Sequence, residues 1–276
     1  MIEVHDVSVE LPGGHRSVLD GVSFRLHAGE RVALLGGNGS GKTTLARVLN
    51  GTQLPTRGRV VVHGFDTRDP EARFEVRRRV GLLFQDPDNQ FVTTTVEREI
   101  AFGLENINES TPRMRRAVSE ALEDFDLRGH EQSPPHEMSG GEKARLALAC
   151  VWVMGPNTLL LDETESLLDL RGTERLWHQI DALPADTALL RVTTDAEVAA
   201  TCARVLVLHE GRLVADGVPN AVFAHLPQEV IARVGLPLVW QLAVELVGAG
   251  RLHRPTVSLD DVLTGLGIPG PAGGAA

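Results

Sequence analysis

Apolar and polar positions change period several times along the chain. Residues 2–10 (IEVHDVSVE) alternate with the two-residue period of a half-buried strand. Residues 21–27 read the same way after a Pro12-Gly13-Gly14 turn. Residues 31–35 (RVALL) form a short apolar run, the pattern of a strand covered on both faces. The run leads into a glycine-rich turn and then a helical stretch to Asn50, which Gly51 stops. Short strands are expected at 60–62 and 81–84. Thr111-Pro112 opens a helix, a cap residue followed by Pro at the first position, with Met114, Val118, Leu122 and Phe125 on one face. Three further buried strands are expected at 159–161, 188–192 and 205–208.

Strands alternating with helices predict an α/β fold built on a mainly parallel, doubly wound sheet, with an antiparallel β part at the N-terminus. Residues 95–155 are mostly helical and interrupt that alternation, so they are expected to form an inserted helical subdomain. The main domain is expected over 1–222, a helical C-terminal extension over 223–268, and a disordered tail over 269–276 (PGPAGGAA).

Composition narrows the function classes. Among 276 residues, Lys and Arg number 27 and Asp and Glu 37, a net charge of −10. A field of that sign disfavours nucleic acid and anionic membrane surfaces as partners. Tyr is absent and aromatic residues are 4%, which removes stacking platforms for single strands. The two cysteines, Cys150 and Cys202, form no CxxC, so neither a disulfide framework nor a cysteine zinc site is expected, and a reducing compartment suits them. The apolar stretch 146–155 is too short to span a bilayer, and 236–247 carries Gln241 and Glu245. The N-terminal stretch alternates and does not read as a signal peptide. The expectation is a soluble protein whose work at a membrane, if any, comes from docking onto another protein.

Three motifs carry chemistry. The first is Gly36-Gly37-Asn38-Gly39-Ser40-Gly41-Lys42-Thr43, followed by Thr44. It fits G-x-x-x-x-G-K-[ST] between an expected strand and an expected helix. Glycines let backbone N–H groups approach phosphate oxygens, and the helix adds its positive end. Lys42 would neutralise β/γ-phosphate charge and the Thr43 hydroxyl would ligate Mg²⁺. The second motif is the buried run 158–161 ending in Asp162-Glu163. Asp162 would hold Mg²⁺, and Glu163 would polarise an attacking water as general base. Acidic residues also end many ordinary strands, so this pair takes its meaning from the phosphate loop in the same chain. The third is Met138-Ser139-Gly140-Gly141-Glu142-Lys143. Ser139 with Glu142 is a capping box that starts a helix. Two glycines there would also let a phosphate come close.

Together the motifs resemble the nucleotide-binding domain of ABC transporters, a P-loop NTPase (RecA-like) fold. MSGGEK stands for that family's LSGGQ-like signature. The resemblance implies ATP and Mg²⁺ as ligands and two such domains facing head to tail, each ATP lying between the P-loop of one and the signature of the other. It implies that Gln85 is the Q-loop glutamine, contacting Mg²⁺ and sensing the transmembrane partner, and that Asp169 in 166–169 belongs to the D-loop linking the two sites. Residues 84–92 (FQDPDNQFV), 95–97 and 101–106 look like the ATPase (A) component of energy-coupling-factor importers, the group that includes cobalt and nickel ATPases. The stretch Gly235-Leu236-Pro237 and the helix after it resemble that group's dimerising extension. The implied assembly has two ATPases, one membrane-embedded T component and one substrate-binding S component, with this chain peripheral on the cytoplasmic face. Asp86 and Asp88 would then accept arginines of the T component. As plain residues of an Asp-Pro-Asp-Asn turn they would only be solvated.

Departures from the family pattern point to a second reading. Thr194 stands where the family has a histidine that touches the γ-phosphate and steadies the catalytic glutamate; a short hydroxyl cannot span that gap or carry a positive charge. Leu11 stands where an aromatic stacks on adenine, and His15 is either its substitute or a solvated loop residue. Two expectations follow. One is an ATP-hydrolysing subunit of an importer for a vitamin or a transition-metal ion. The other is a hydrolysis-weak subunit that lends its signature helix to a more active partner ATPase in a heterodimer.

Overall fold

The computed structural model describes residues 1–11, 17–164, 168 and 170–268. The expected residues Pro12, Gly13, Gly14, His15 and Asp169, positions 165–167, and the tail 269–276 lie outside them. In chain order the elements begin with β1 (Ile2–Glu10), β2 (Ser17–Leu26), β3 (Arg31–Leu35), α1 (Lys42–Leu49), β4 (Arg57–Val62), β5 (Phe65–Asp66) and α2 (Arg73–Arg79). They continue with β6 (Val80–Leu83), α3 (Val96–Asn106), α4 (Thr111–Asp124), α5 (Gly140–Trp152), β7 (Thr158–Asp162), α6 (Leu170–Asp181) and β8 (Ala188–Thr193). The last are α7 (Ala196–Ala200), β9 (Arg204–His209), β10 (Arg212–Gly217), α8 (Pro219–His225), α9 (Gln228–Val234), α10 (Leu238–Gly248) and α11 (Leu259–Gly265).

The chain divides into two compact units, residues 1–30 with 43–192, and residues 31–42 with 193–276. The first unit holds an antiparallel sheet of order β2-β1-β4-β5. It also holds a parallel ladder in which β7 lies between β6 and β8, Leu161 opposite Leu83 on one side and Arg191 on the other. All five residues of β7 are buried, which is why its sequence is an unbroken apolar run before Asp162. Helices α3, α4 and α5 pack their apolar stripes into one cluster with this ladder, through Ile100, Leu104, Val118, Leu122, Leu146 and Leu161.

In the second unit β3 pairs in parallel with β9, and β9 pairs antiparallel with β10. Leu35, Val205, Val207, Phe223, Val230 and Trp240 share a core, so the helical C-terminal stretch is packed onto this unit's strands. Phe223 and Trp240 sit with ring centroids 6.4 Å apart, an aromatic pair within that core.

One expected strand begins earlier in the chain. Strand β2 starts at Ser17, not 21, and the Asp20-Gly21 pair lies inside it. The pair is absorbed as a bulge, seen as a register shift between the Val7–Val22 and Val9–Leu19 pairs, with Gly21 at φ +67°. In the Arg77-Arg78-Arg79 run of α2 two side chains are engaged. Glu75 holds Arg78 and Arg79 at 3.1 and 3.2 Å, and the Arg79 guanidinium lies 5.1 Å from the Phe65 ring centroid. Helix α8 spans Pro219–His225, so position 222 lies inside a helix.

Candidate functional site

The glycine-rich turn belongs to the second unit and leaves β3 directly. Gly36 is there for space. A Cβ on it would run into the Leu208 carbonyl and come within 2.6 Å of the Ser40 hydroxyl. Its N–H donates to the carbonyl of Thr193, a residue of the same unit, at 3.2 Å. Further along, the Ser40 N–H donates to the Gly37 carbonyl at 3.2 Å, and the Ser40 carbonyl accepts from the Gly211 N–H at 3.0 Å. Gly41 has φ +106°, a backbone that L side chains rarely adopt. Lys42 is buried and curls back, its Nζ donating to the carbonyls of Gly36 and Gly37 at 2.9 and 3.2 Å.

The arrangement fits a phosphate. The buried Ser40 hydroxyl has no hydrogen-bond partner among the described residues. Leaving such a group unmet costs ~1–3 kcal/mol, which an anionic oxygen would remove. Around Gly39, at φ +75°, nothing lies within 4 Å of where a Cβ would stand, so the loop has an open face. Thr43 and Thr44 open the first turn of α1, where the helix dipole favours negative charge.

The acidic pair belongs to the first unit. Asp162 ends β7 and is buried; Glu163, the next residue, is half-buried. The Glu163 N–H donates to the Val192 carbonyl at 3.1 Å, so pairing with β8 continues one residue past β7. Its φ of +51° is left-handed, and it is not a glycine. That conformation costs of order 1–3 kcal/mol, and such residues concentrate where a side chain must be aimed. The side chain is aimed at Gln85, whose Nε2 donates to Glu163 Oε2 over 3.4 Å. Gln85 lies just past β6, the parallel neighbour of β7, so the strand order brings the two together from positions 78 residues apart.

The signature turn is a complete capping box at the start of α5. The Ser139 N–H and hydroxyl donate to Glu142 Oε2 at 2.8 and 2.7 Å, and the Glu142 N–H returns a bond to the Ser139 hydroxyl. These bonds, the side-chain one first, hold the Glu142 carboxyl below its ordinary value against a smaller opposing effect of burial. His130 Nε2 lies 3.5 Å from Glu142 Oε1. Gly141 differs from Gly36. A Cβ there would meet nothing nearer than 3.8 Å, so packing inside this chain does not require a glycine.

Known proteins resolve what these parts belong to. Residues 19–166 match the family model described as ABC transporter, more than half of the chain. The chain belongs to the ABC transporter family. It is 39% identical over 254 residues to the energy-coupling factor transporter ATP-binding protein EcfA1 of Symbiobacterium thermophilum, covering 91% of this chain and 88% of that protein. It is 39% identical over 247 residues to the cobalt import ATP-binding protein CbiO of Syntrophus aciditrophicus, with 88% of each covered. Among solved structures, cbiO1 from Clostridium perfringens, part of the ABC transporter complex cbiONQ, superposes with a TM-score of 0.70 at 32% identity, covering 86% of this chain and 95% of that one. The ATP-binding cassette MJ0796, a dimer bound to ADP and Pi, superposes at 0.71 with 24% identity, covering 79% of this chain and 99% of that one, and shows the shared fold. The P-loop NTPase fold and an ABC-type ATPase coupled to transport are thereby shown for this chain. Among the described residues no helix is long and apolar enough to cross a membrane.

Several site details were not legible beforehand. Asp86 does not wait for a partner. Its carboxylate caps one turn of 3-10 helix over Pro87–Asn89, accepting from the Asp88 N–H at 3.0 Å and the Asn89 amide at 3.2 Å. Asp88 pairs with Lys143 Nζ at 2.8 Å. The end of the same loop is fastened by Glu99, buried on α3, whose carboxylate accepts from the N–H groups of Val92 and Thr93 at 3.1 and 2.6 Å. The signal for Glu99 was a charged residue on the apolar stripe of α3, between Val96 and Ile100. Leu11 is exposed and Thr194 half-buried.

Proposed function

We propose that this chain is the ATP-hydrolysing subunit that energises an energy-coupling-factor importer for a vitamin or a transition-metal ion. In this reading residues 36–44 hold the phosphates, with Lys42 against β/γ-phosphate charge. Thr43, Asp162 and Gln85 hold Mg²⁺, which would draw charge from the leaving phosphate. Glu163 takes the proton of the attacking water, and Ser139, Gly140, Gly141 and Glu142 close on the ATP of a second ATPase. The observation that carries the reading is the Gln85 amide on the Glu163 carboxylate, the Q-loop in touch with the general base. Gly141 supports it too: a glycine that packing within the chain does not require suits a ligand arriving from outside the chain. The test is ATP turnover and ATP affinity of the purified chain. Glu163→Gln should abolish turnover and keep affinity; equal loss of both, or of neither, contradicts the assignment.

Docking to a membrane T component beside the Q-loop is part of the proposal, with an S component choosing the cargo and the chain peripheral on the cytoplasmic face. Exposed Val92 and Phe102 support a protein partner there. Because Asp86 and Asp88 are already engaged, an incoming cation would compete with Asn89 and Lys143.

A second reading is favoured by Thr194. With no imidazole after β8, hydrolysis at this chain's own P-loop would be slow, and its signature helix would complete a faster site on a different ATPase, a heterodimer. Loss of one hydrogen bond to a charged group is worth ~1.5–3 kcal/mol, roughly 10- to 150-fold in rate.

A further inference from the structure

The Q-loop is fastened at three places, and the middle fastening joins it to the signature helix. Its start is held by Gln85 on Glu163, and its end by Glu99 on the N–H groups of Val92 and Thr93. Between them Asp88, inside the 3-10 turn capped by Asp86, takes the Lys143 ammonium at 2.8 Å. The Lys143 side chain is only 16% exposed, whereas Asp88 is 53% exposed, so the lysine is drawn in beneath the loop. The Lys143 N–H closes the first turn of α5 on the Ser139 carbonyl at 2.9 Å. A continuous path therefore runs from Glu163 through Gln85, the capped turn, Asp88 and Lys143 to Ser139, with a side-chain contact at each crossing between elements.

We propose that Lys143 is a positioning residue for ATP hydrolysis, its ion pair with Asp88 locking the signature turn to the loop that carries Gln85. The proposal rests on the ATPase reading above and adds to it which group makes the two motifs move as one. A lysine without this role would point into water from the first turn of α5, where the helix dipole disfavours a cation. Here it spans to another element and is largely covered. Because the pair is partly solvated, its contribution to folding is small. Its effect is on the relative placement of two segments, which turnover senses more sharply than stability does.

The test is a double-mutant cycle with charge reversal on the full chain. Lys143→Met and Asp88→Asn should each lower kcat for ATP by about 3- to 10-fold with KM nearly unchanged, as expected for a group acting on the transition state rather than on binding. The double variant should be no worse than either single one. Lys143→Arg should retain turnover, and Lys143→Asp combined with Asp88→Lys should recover most of it. In the nucleotide-free chain, amide exchange should quicken in both 86–91 and 139–143 for each single variant. Additive effects, or a reversed pair that recovers nothing, would overturn the proposal. Should Lys143→Met fail to fold, the exposed Asp88→Asn carries the same test. If the wild-type chain neither binds nor turns over ATP, the ATPase reading fails, whereas unchanged exchange in both segments removes the latch alone.

Discussion

Gln85 Nε2 sits 3.4 Å from Glu163 Oε2, at the exits of two adjacent parallel strands. The bond is long, and the glutamate that receives it has a left-handed backbone. A carboxylate aimed at the Q-loop amide from the end of a buried strand is placed to act on a water. General-base catalysis is worth ~10²–10⁴-fold. Glu163→Gln should therefore cut turnover by about that factor and leave ATP affinity within about twofold, measured by phosphate release beside a binding titration.

Thr194→His should raise turnover of the isolated chain by roughly 10- to 150-fold if the hydrolysis-weak reading holds. The measurement is kcat of the two proteins at saturating ATP. A chain that already turns over rapidly, with no response to the substitution, supports the fully active reading.

The two glycines Gly36 and Gly141 should respond in opposite ways. A Cβ at Gly36 collides with a carbonyl and a hydroxyl, and overpacking of this kind costs ~1–3 kcal/mol. Gly36→Ala should lower the melting temperature and weaken ATP binding. Gly141→Ala makes only ordinary contacts, at 3.8 Å, with Arg145 and Gly172 and restricts a helical glycine, so stability should hold or rise by up to ~1 kcal/mol. If the signature turn closes on a partner's ATP as proposed, turnover of the assembled pair should still fall, because the added methyl would stand in the way of the phosphate.

The capping box gives a pH dependence. The Glu142 carboxyl is held below its ordinary value by Ser139, so its contribution is full above the ordinary carboxylate range and is lost as pH falls through the lower folded value. Glu142→Gln keeps the geometry of the box and should remove this acid sensitivity. Glu142→Ala should cost ~1 kcal/mol at neutral pH. Urea titrations at neutral and acid pH separate the three proteins.

Most of this site could be read from residue order because its parts are local. A phosphate loop, a strand ending in Asp162-Glu163 and a capping box each fit within eight residues, so spacing alone defines them. Strands such as β3 and β7 were legible because burial of 32–35 and of all of β7 leaves apolar runs. The start of β2 at Ser17 was not legible, since the alternation slips at Gly21, where the strand bulges. The pairing of Lys143 with Asp88 joins residues 55 positions apart that only the packing of α5 against the 87–89 turn brings together. No periodicity reports which of several surface charges will meet.

Calorimetric titration of ATP into the wild-type chain and into Lys42→Ala tests the central claim, that the turn over 36–43 grips a triphosphate. The account predicts saturable binding by the wild type and at least a tenfold loss in the variant, a difference of about 1.4 kcal/mol or more. Equal affinity in the two proteins would contradict it.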